Sequence, residues 1–261
     1  MRARPRAPED APKLSPYQYG VATSKAKPPR TRLSADERER AIARGAVAFF
    51  CEAGFGGRTR ELAKRLGITQ PLLYRYFPNK EALIDRVYQE VYLNRWDPQW
   101  EELLDDHTRP ARERIIAFYR AYAKAVLSYE WIRIFMFSGL RGMDLNSRYL
   151  TLVRDRIYTR VIRELRREYG LPSPAEVPIS ELEFELVWAL HASIFYIGIR
   201  KWIYGLEIPE HIDGVIEGLT VAFFDGVPAV MSRVVANAAK TRARSRPGSP
   251  RAGRRRAPGS A

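Results

Sequence analysis

Few side chains in this 261-residue chain are spaced for covalent chemistry. Cys51, the only cysteine, follows Phe49 and Phe50 in an apolar stretch, where a buried and inert thiol is expected rather than a nucleophile. His107, His191 and His211 are too scattered to propose a metal site, and His191 reads as a core or interface histidine. Glu181, Glu183 and Glu185 read as the solvated start of a helix. No nucleophile elbow, phosphate loop or paired-carboxylate constellation stands out, so no catalytic residue, cofactor or metal is expected. What remains is the stretch TRELAKRLGITQPLLYRYF, residues 59–77, whose chemistry is hydrogen bonding to an outside partner. Gln70, Pro71, Leu72, Tyr74 and Tyr76 would lie around the exposed surfaces of a short helix sized for a DNA major groove. Arg60 and Gln70 are long hydrogen-bonding side chains of the kind that suits base edges.

Two helices and a tight turn must hold those residues. Leu62, Ala63 and Leu66 face one way on a helix starting near Thr59, and Ala63 is small enough for a close crossing. Gly67 can take the left-handed conformation that a three-residue turn needs. Ile68 would plug the gap between the helices, and Thr69 would cap the second one. Pro71 is tolerated there because its missing N–H lies in the first turn. Leu73 and Phe77, four apart, would bury against the first helix. Upstream, Ser34 and Glu37 form a capping box, opening a helix with Ile42, Ala46, Phe49 and Phe50 on one face and a stop at Gly54. Downstream, Pro78-Asn79 breaks the chain, and Asn79 caps a helix reaching about residue 94. Trp96-Asp97-Pro98 marks a further break, taken as a domain boundary.

At these residues the chain resembles the head of the TetR family of transcription regulators. The resemblance spans residues 42–83, about a sixth of the chain, with GITQPLLYRYFPNKEAL at 67–83 as its signature. Tyr74, Phe77, Lys80 and Leu83 stand at fixed spacing from the turn. By that resemblance Gln70 and Pro71 approach base edges, and Arg60 matches a position that often reaches a base. Thr59, Tyr76 and Lys80 would hold phosphates, with Tyr74 at the groove edge and Thr69 and Leu72 beside them. Two departures stand out. Arg58 replaces the usual small polar cap, so the first turn of that helix starts differently. Leu72 replaces a frequent Thr, removing a polar base contact and favouring a thymine methyl.

Beyond residue 95 the pattern stays helical, at about 112–129, 131–140, 144–169, 180–204 and 209–239. Gly170 and Gly205 sit where C-terminal caps belong, Pro209 suits a first helical position, and Ser180/Glu183 is another capping box. Strand-like alternation is absent, so the chain is expected to be all-α. An N-terminal three-helix helix-turn-helix domain occupies 34–95, followed by an α-helical domain over 96–239. The resemblance implies that this second domain binds an effector and dimerises through its last two helices, 180–204 and 209–239. Both are apolar almost all round, which suits a four-helix dimer seam or plain core. Pro228 is expected to kink the last helix. Phe135, Phe137, Tyr149, Tyr158, Trp188 and Tyr196 could line a ligand pocket, although each reads first as ordinary core.

The formal net charge of +14 is concentrated at the ends. Residues 1–33 carry +6 and residues 240–261 carry +8, both with few large apolar side chains, so each is expected to be a disordered basic arm. The body is polarised, with +4 over 34–80 and −4 over 81–239. Such a basic head suits a polyanion, here double-stranded DNA. A single cysteine implies no disulfide framework, and residues 1–30 show no apolar signal-peptide region. The most apolar stretch, 186–203, is interrupted by His191, Arg200 and Lys201 and reads as a buried helix rather than a membrane span. The expectation is a bacterial cytoplasmic protein, associated with the nucleoid when bound, and not an enzyme. It would be a homodimeric repressor released from a palindromic operator by a small-molecule effector. The alternative is an architectural or adaptor DNA-binding protein with the same head and no metabolite ligand. An open cavity in the body favours the first, a solid core the second.

Overall fold

A computed structural model describes residues 33–245, and every regular element among them is helical. The arms expected at 1–33 and 240–261 lie outside the described residues, apart from Leu33 and residues 240–245. Helix α1 (Ala35–Ala53) opens on the expected capping box. The Ser34 N–H donates to Glu37 Oε2 at 2.8 Å and the Glu37 N–H to Ser34 Oγ at 3.2 Å, a cap typically contributing about 1 kcal/mol. Helices α2 (Thr59–Arg65) and α3 (Gln70–Tyr76) follow, then α4 (Lys80–Val91), capped by Asn79 Oδ1 accepting from the Ala82 N–H at 2.7 Å. A 3-10 turn at Leu93–Arg95 leads to α5 (Gln99–Asp105), a helix the sequence pattern does not announce. It is only seven residues long and buries Trp100 and Leu104 alone, too few apolar positions to show a period.

The body contains α6 (Ala111–Val126), α7 (Tyr129–Leu140), α8 (Leu145–Val153) and α9 (Thr159–Glu168). A π-helical segment, Arg154–Tyr158, joins the last two into the single rod expected over 144–169. Helices α10 (Glu181–Trp202) and α11 (Ile212–Ser245) close the fold, with Pro228 inside α11. The last helix starts three residues after Pro209 and runs past the expected boundary at 239. Residues 240–245 continue it because no Gly or Pro intervenes before Pro247.

One apolar core runs from Ile42 to Met231, across the boundary expected near residue 95. Helix α1 packs on both α4 and α7, α11 on α6 and α10, and α10 on α7 and α9. Two ion pairs lie inside. Arg114 engages Glu164 and the Leu104 carbonyl between α6, α9 and the end of α5. Arg166 donates to Glu183 at 2.7 and 2.8 Å and to the carbonyls of Pro172, Val177 and Pro178. All its N–H groups that face the loop between α9 and α10 are thereby satisfied. Glu183 is therefore not solvated, as its place at a helix start suggests, but fully buried. Burial pushes its carboxyl up, yet the Arg166 and Ser180 hydrogen bonds more than offset this and hold it below its ordinary value.

By length and composition α10 and α11 could each cross a membrane. Each instead buries one side on the body, where α10 carries the enclosed His191 and Glu183. Their outer sides are exposed.

Candidate nucleic-acid interface

The turn between α2 and α3 is built as its residues dictate. Gly67 takes φ +64, a conformation that costs other residues about 1 kcal/mol or more, and its Cβ position faces open space. Thr69 Oγ1 accepts from the Leu72 N–H at 3.3 Å and caps α3, with Pro71 in its first turn. Leu62, Ala63, Leu73 and Phe77 are buried between the two helices and α1, and Ile68 packs beside them. Arg58 occupies the cap position of α2 without a side-chain capping bond, so that helix begins bare, as the departure at this residue implies.

Burial on one side fixes what the other side presents. Pro71, Tyr74 and Arg75 are exposed on α3, and Gln70, Leu72 and Tyr76 are half-buried. Three of the candidate residues form one network. Thr59 Oγ1 lies 2.9 Å from the Tyr74 hydroxyl and accepts from Gln70 Nε2 at 3.2 Å. Thr59 itself is buried, so it braces α3 against the start of α2 rather than standing free. Gln70 spends one amide N–H on Thr59. Its carbonyl oxygen and second N–H have no partner among the described residues, and these are the groups a bidentate contact to adenine uses. Arg60 is exposed one residue beyond Thr59.

Lys80 is more constrained than a bare phosphate contact. Its ammonium donates to the Phe55 carbonyl at 2.6 Å and the Gly57 carbonyl at 2.9 Å, and lies 6.0 Å from the Phe50 ring. It pins the loop between α1 and α2 and keeps one N–H in hand. From the other side, Arg133 of α7 donates to the Cys51 carbonyl at 2.5 Å, sandwiched between the Tyr129 and Phe137 rings. Cys51 is buried, its thiol 3.7 Å from the Glu130 carbonyl, and burial pushes its pKa up to about 12. A thiol so protonated is no nucleophile.

Around this surface the basic side chains outnumber the exposed acid Glu61. Arg65 is paired with Glu52 at 2.6 Å, but Arg58, Arg60, Lys64 and Arg75 are exposed with no ion pair among the described residues. Sequence reasoning passed over Lys64 and Arg75. A basic residue inside the short helix α3 was the available signal.

The six aromatics expected as pocket lining do not surround one space. Tyr149 is buried among Tyr92, Trp96 and Trp131, and Phe135 stacks on Trp131 at 5.0 Å. Phe137 packs on Gly54, and Tyr158 meets the edge of Trp188 at 5.8 Å. Tyr196 is 47% exposed on the outer side of α10, beside Tyr204, and so cannot line a buried pocket. Neither of two surface clefts is lined by any of the six. One, about 470 Å³, lies between Leu127, Gly198 and the loop from Leu206 to Ile212. The other, about 610 Å³, runs along α6 between Arg95, Trp100, Arg120 and Lys124. His191 sits in the core as expected, 5.1 Å from the Tyr122 ring, and burial pushes its pKa down to about 4. Among the described residues no three His, Cys, Asp or Glu side chains group as a metal set.

Residues 42–87 match the family model described as bacterial regulatory proteins, tetR family. The chain is 34% identical over 85 residues to the tetracycline repressor protein class A from transposon 1721 of Escherichia coli. It is 34% identical over 86 residues to the Escherichia coli class C tetracycline repressor. Each match takes in 30% of this chain and spans 39% of the repressor's length. Over most of the chain the likeness is structural. A TetR-like transcriptional regulator from Rhodococcus sp. RHA1 superposes with a TM-score of 0.55 at 18% identity, covering 75% of this chain and all of that one. A tetR-family transcriptional regulator from Streptomyces coelicolor gives 0.53 at 19%, covering 82% and 92%. At such identity these two bear on the fold.

Proposed function

We propose, from the match of residues 42–87 to the tetR family model, that this chain carries a DNA-binding domain of that family and is a sequence-specific transcription regulator acting in the bacterial cytoplasm. The observation that carries this is the surface of α2 and α3. Gln70, braced by Thr59 and Tyr74, stands with Arg58, Arg60, Lys64 and Arg75, four cations that have no ion pair among the described residues. Gln70, Pro71, Leu72 and Arg60 read base edges, while Thr69, Tyr74, Tyr76 and Lys80 contact the backbone. The four cations supply the counterion-release term that any duplex offers, and the polar ends of Gln70 and Arg60 supply the preference among sequences.

The regulator acts as a homodimeric repressor, released from a palindromic operator by a small-molecule effector. Support for the dimer comes from the outer sides of α10 and α11. Ala189, Ala192 and Tyr196 on the first, and Gly214, Gly218, Ala222, Gly226 and Ala229 on the second, are exposed on two apolar helices. Small residues at that spacing let a second helix pair approach closely. The packed aromatic interior favours a second reading, an architectural or adaptor protein with the same head and no metabolite ligand.

Selection of bound duplexes from a random library tests the primary reading. The expected product is an enriched near-palindrome with half-sites about one helical turn, 34–36 Å, apart or at a related groove spacing. A pool with no enriched motif overturns sequence-specific reading.

A further inference from the structure

Tyr119 and Tyr122 of α6, Tyr158 from the π segment and His191 of α10 meet in the middle of the body. Tyr119 and Tyr158 are fully buried and His191 is 6% exposed. The Tyr119 hydroxyl, the Tyr158 hydroxyl and His191 Nδ1 are enclosed with no hydrogen-bond partner among the described residues. All three rings surround one imidazole, with centroids 6.2, 5.1 and 5.3 Å from it for Tyr119, Tyr122 and Tyr158. The Tyr122 hydroxyl reaches His191 Nε2 only at 3.5 Å and accepts from the Tyr149 hydroxyl at 3.2 Å.

Buried polar groups are nearly always paired, because leaving one unpaired forfeits its hydration without return. A core that needed only volume would be filled as well by Phe at 119 and 158. Two hydroxyls without partners beside an imidazole whose own Nδ1 lacks one therefore ask for something that supplies partners. A second feature points the same way. Tyr158 is delivered by a π-helical turn, a distortion that recurs at functional sites and here lets Ile157 and Tyr158 both face inward.

We infer that this cluster is a binding site for an uncharged aromatic ring bearing a hydrogen-bonding group. The inference rests on the effector-responsive reading above and names the chemical class of the effector. The groups on offer are hydroxyls and an imidazole kept neutral by burial, so an ionised ligand group would enter unpaired. The walls are Phe118, Trp188 and the tyrosine rings, which suit offset or edge-on contact with another ring. Trp188, half-buried outside Tyr158, is the ring that must shift to admit it.

The test uses the full chain with 4-hydroxybenzamide and its charged counterpart 4-hydroxybenzoate, by saturation-transfer NMR. The amide should bind with a Kd on the order of 1 mM, as fits a ligand of its size. The carboxylate should bind at least about tenfold more weakly. Tyr158→Phe, which keeps the ring and deletes its hydroxyl, and His191→Phe, which puts an apolar ring in place of the imidazole, should each weaken the amide about tenfold. No binding of the amide, equal binding of both probes, or unchanged binding in folded variants would each overturn the site. If a variant does not fold, crystals of the unaltered protein soaked with 4-bromobenzamide decide. Anomalous bromine density against Tyr158 and His191 supports the site, and density only elsewhere or none refutes it. Binding to the selected operator, measured on the same preparations without probe, separates the two readings. Operator binding retained with no probe bound sinks only this site, whereas loss of operator binding sinks the regulator itself.

Discussion

Thr59 has two partners and one hydroxyl, which makes it the hinge pin between the helix that carries Arg60 and the helix that carries Gln70. Arg60→Ala leaves that brace intact, and Gln70→Ala removes one of its two bonds while Thr59 keeps Tyr74. Each replacement should cost on the order of 1–3 kcal/mol on the selected site and relax preference at one base position. Titrations against selected and scrambled duplexes check this, and equal losses on both would show that the two side chains contact only backbone. A second residue makes a pH-dependent claim. His191 takes up its proton near pH 6.5 when exposed but only near 4 in the folded core. Between those values the unfolded chain holds the extra proton, so stability falls as pH falls, and the loss is complete below about pH 4. It amounts to roughly 3 kcal/mol. Urea unfolding at pH 7 and 4.5 should therefore show a smaller pH difference in His191→Phe than in the unaltered protein, and an identical difference would mean that the imidazole is not buried neutral.

Helices α10 and α7 cross in close contact at Gly198. A Cβ added at Gly198 would stand 2.6 and 2.9 Å from two carbons of Ile132 and 3.1 Å from Leu127. Ile132 is fully enclosed and has little room to yield. Gly198→Ala should therefore cost about 1–3 kcal/mol despite the better helix propensity of Ala, read as a lower urea midpoint. An unchanged midpoint would mean that the two helices can part freely. Such crossings are not written in sequence, whereas helix starts are. The boxes at Ser34/Glu37 and Ser180/Glu183, the Asn79 cap and the Gly67 turn were all legible because each is settled within four residues. Glu183 was misjudged for the opposite reason: its partner Arg166 is 17 residues away and only the folded loop brings them together. The π segment was invisible because nothing in its composition differs from ordinary helix, and α5 because two buried residues make no period. At the interface, residue types announced Pro71 and Tyr74 on the exposed face of α3 but not Arg75. They did not announce that Thr59 is buried or that Lys80 is tied to two carbonyls, since both depend on where a neighbouring helix end lands.

At the scale of the whole molecule, the outer side of α11 offers a cleaner test of assembly than its apolar stripe. Phe223 of that stripe is half-buried against the core, so Phe223→Glu would confuse unfolding with dissociation. Gly218 is exposed, and a Cβ there meets nothing within 4 Å. Gly218→Arg should leave the helical signal and monomer stability near their original values while abolishing dimerisation in sedimentation at micromolar concentration. It should also weaken operator binding sharply, because both half-sites must be occupied together. A variant that still sediments as a dimer would move the seam elsewhere. The loop that follows α1 carries a different consequence. Lys80 holds it through Phe55 and Gly57, and Arg133 holds the end of α1 through Cys51, so one short stretch of backbone answers to both α4 and α7. Residues 34–95 are thus not an interchangeable part. Grafted onto a foreign body they would lose Arg133 and expose the side of α1 that α7 covers, and a chimera that is to stay folded has to import α7 together with the head.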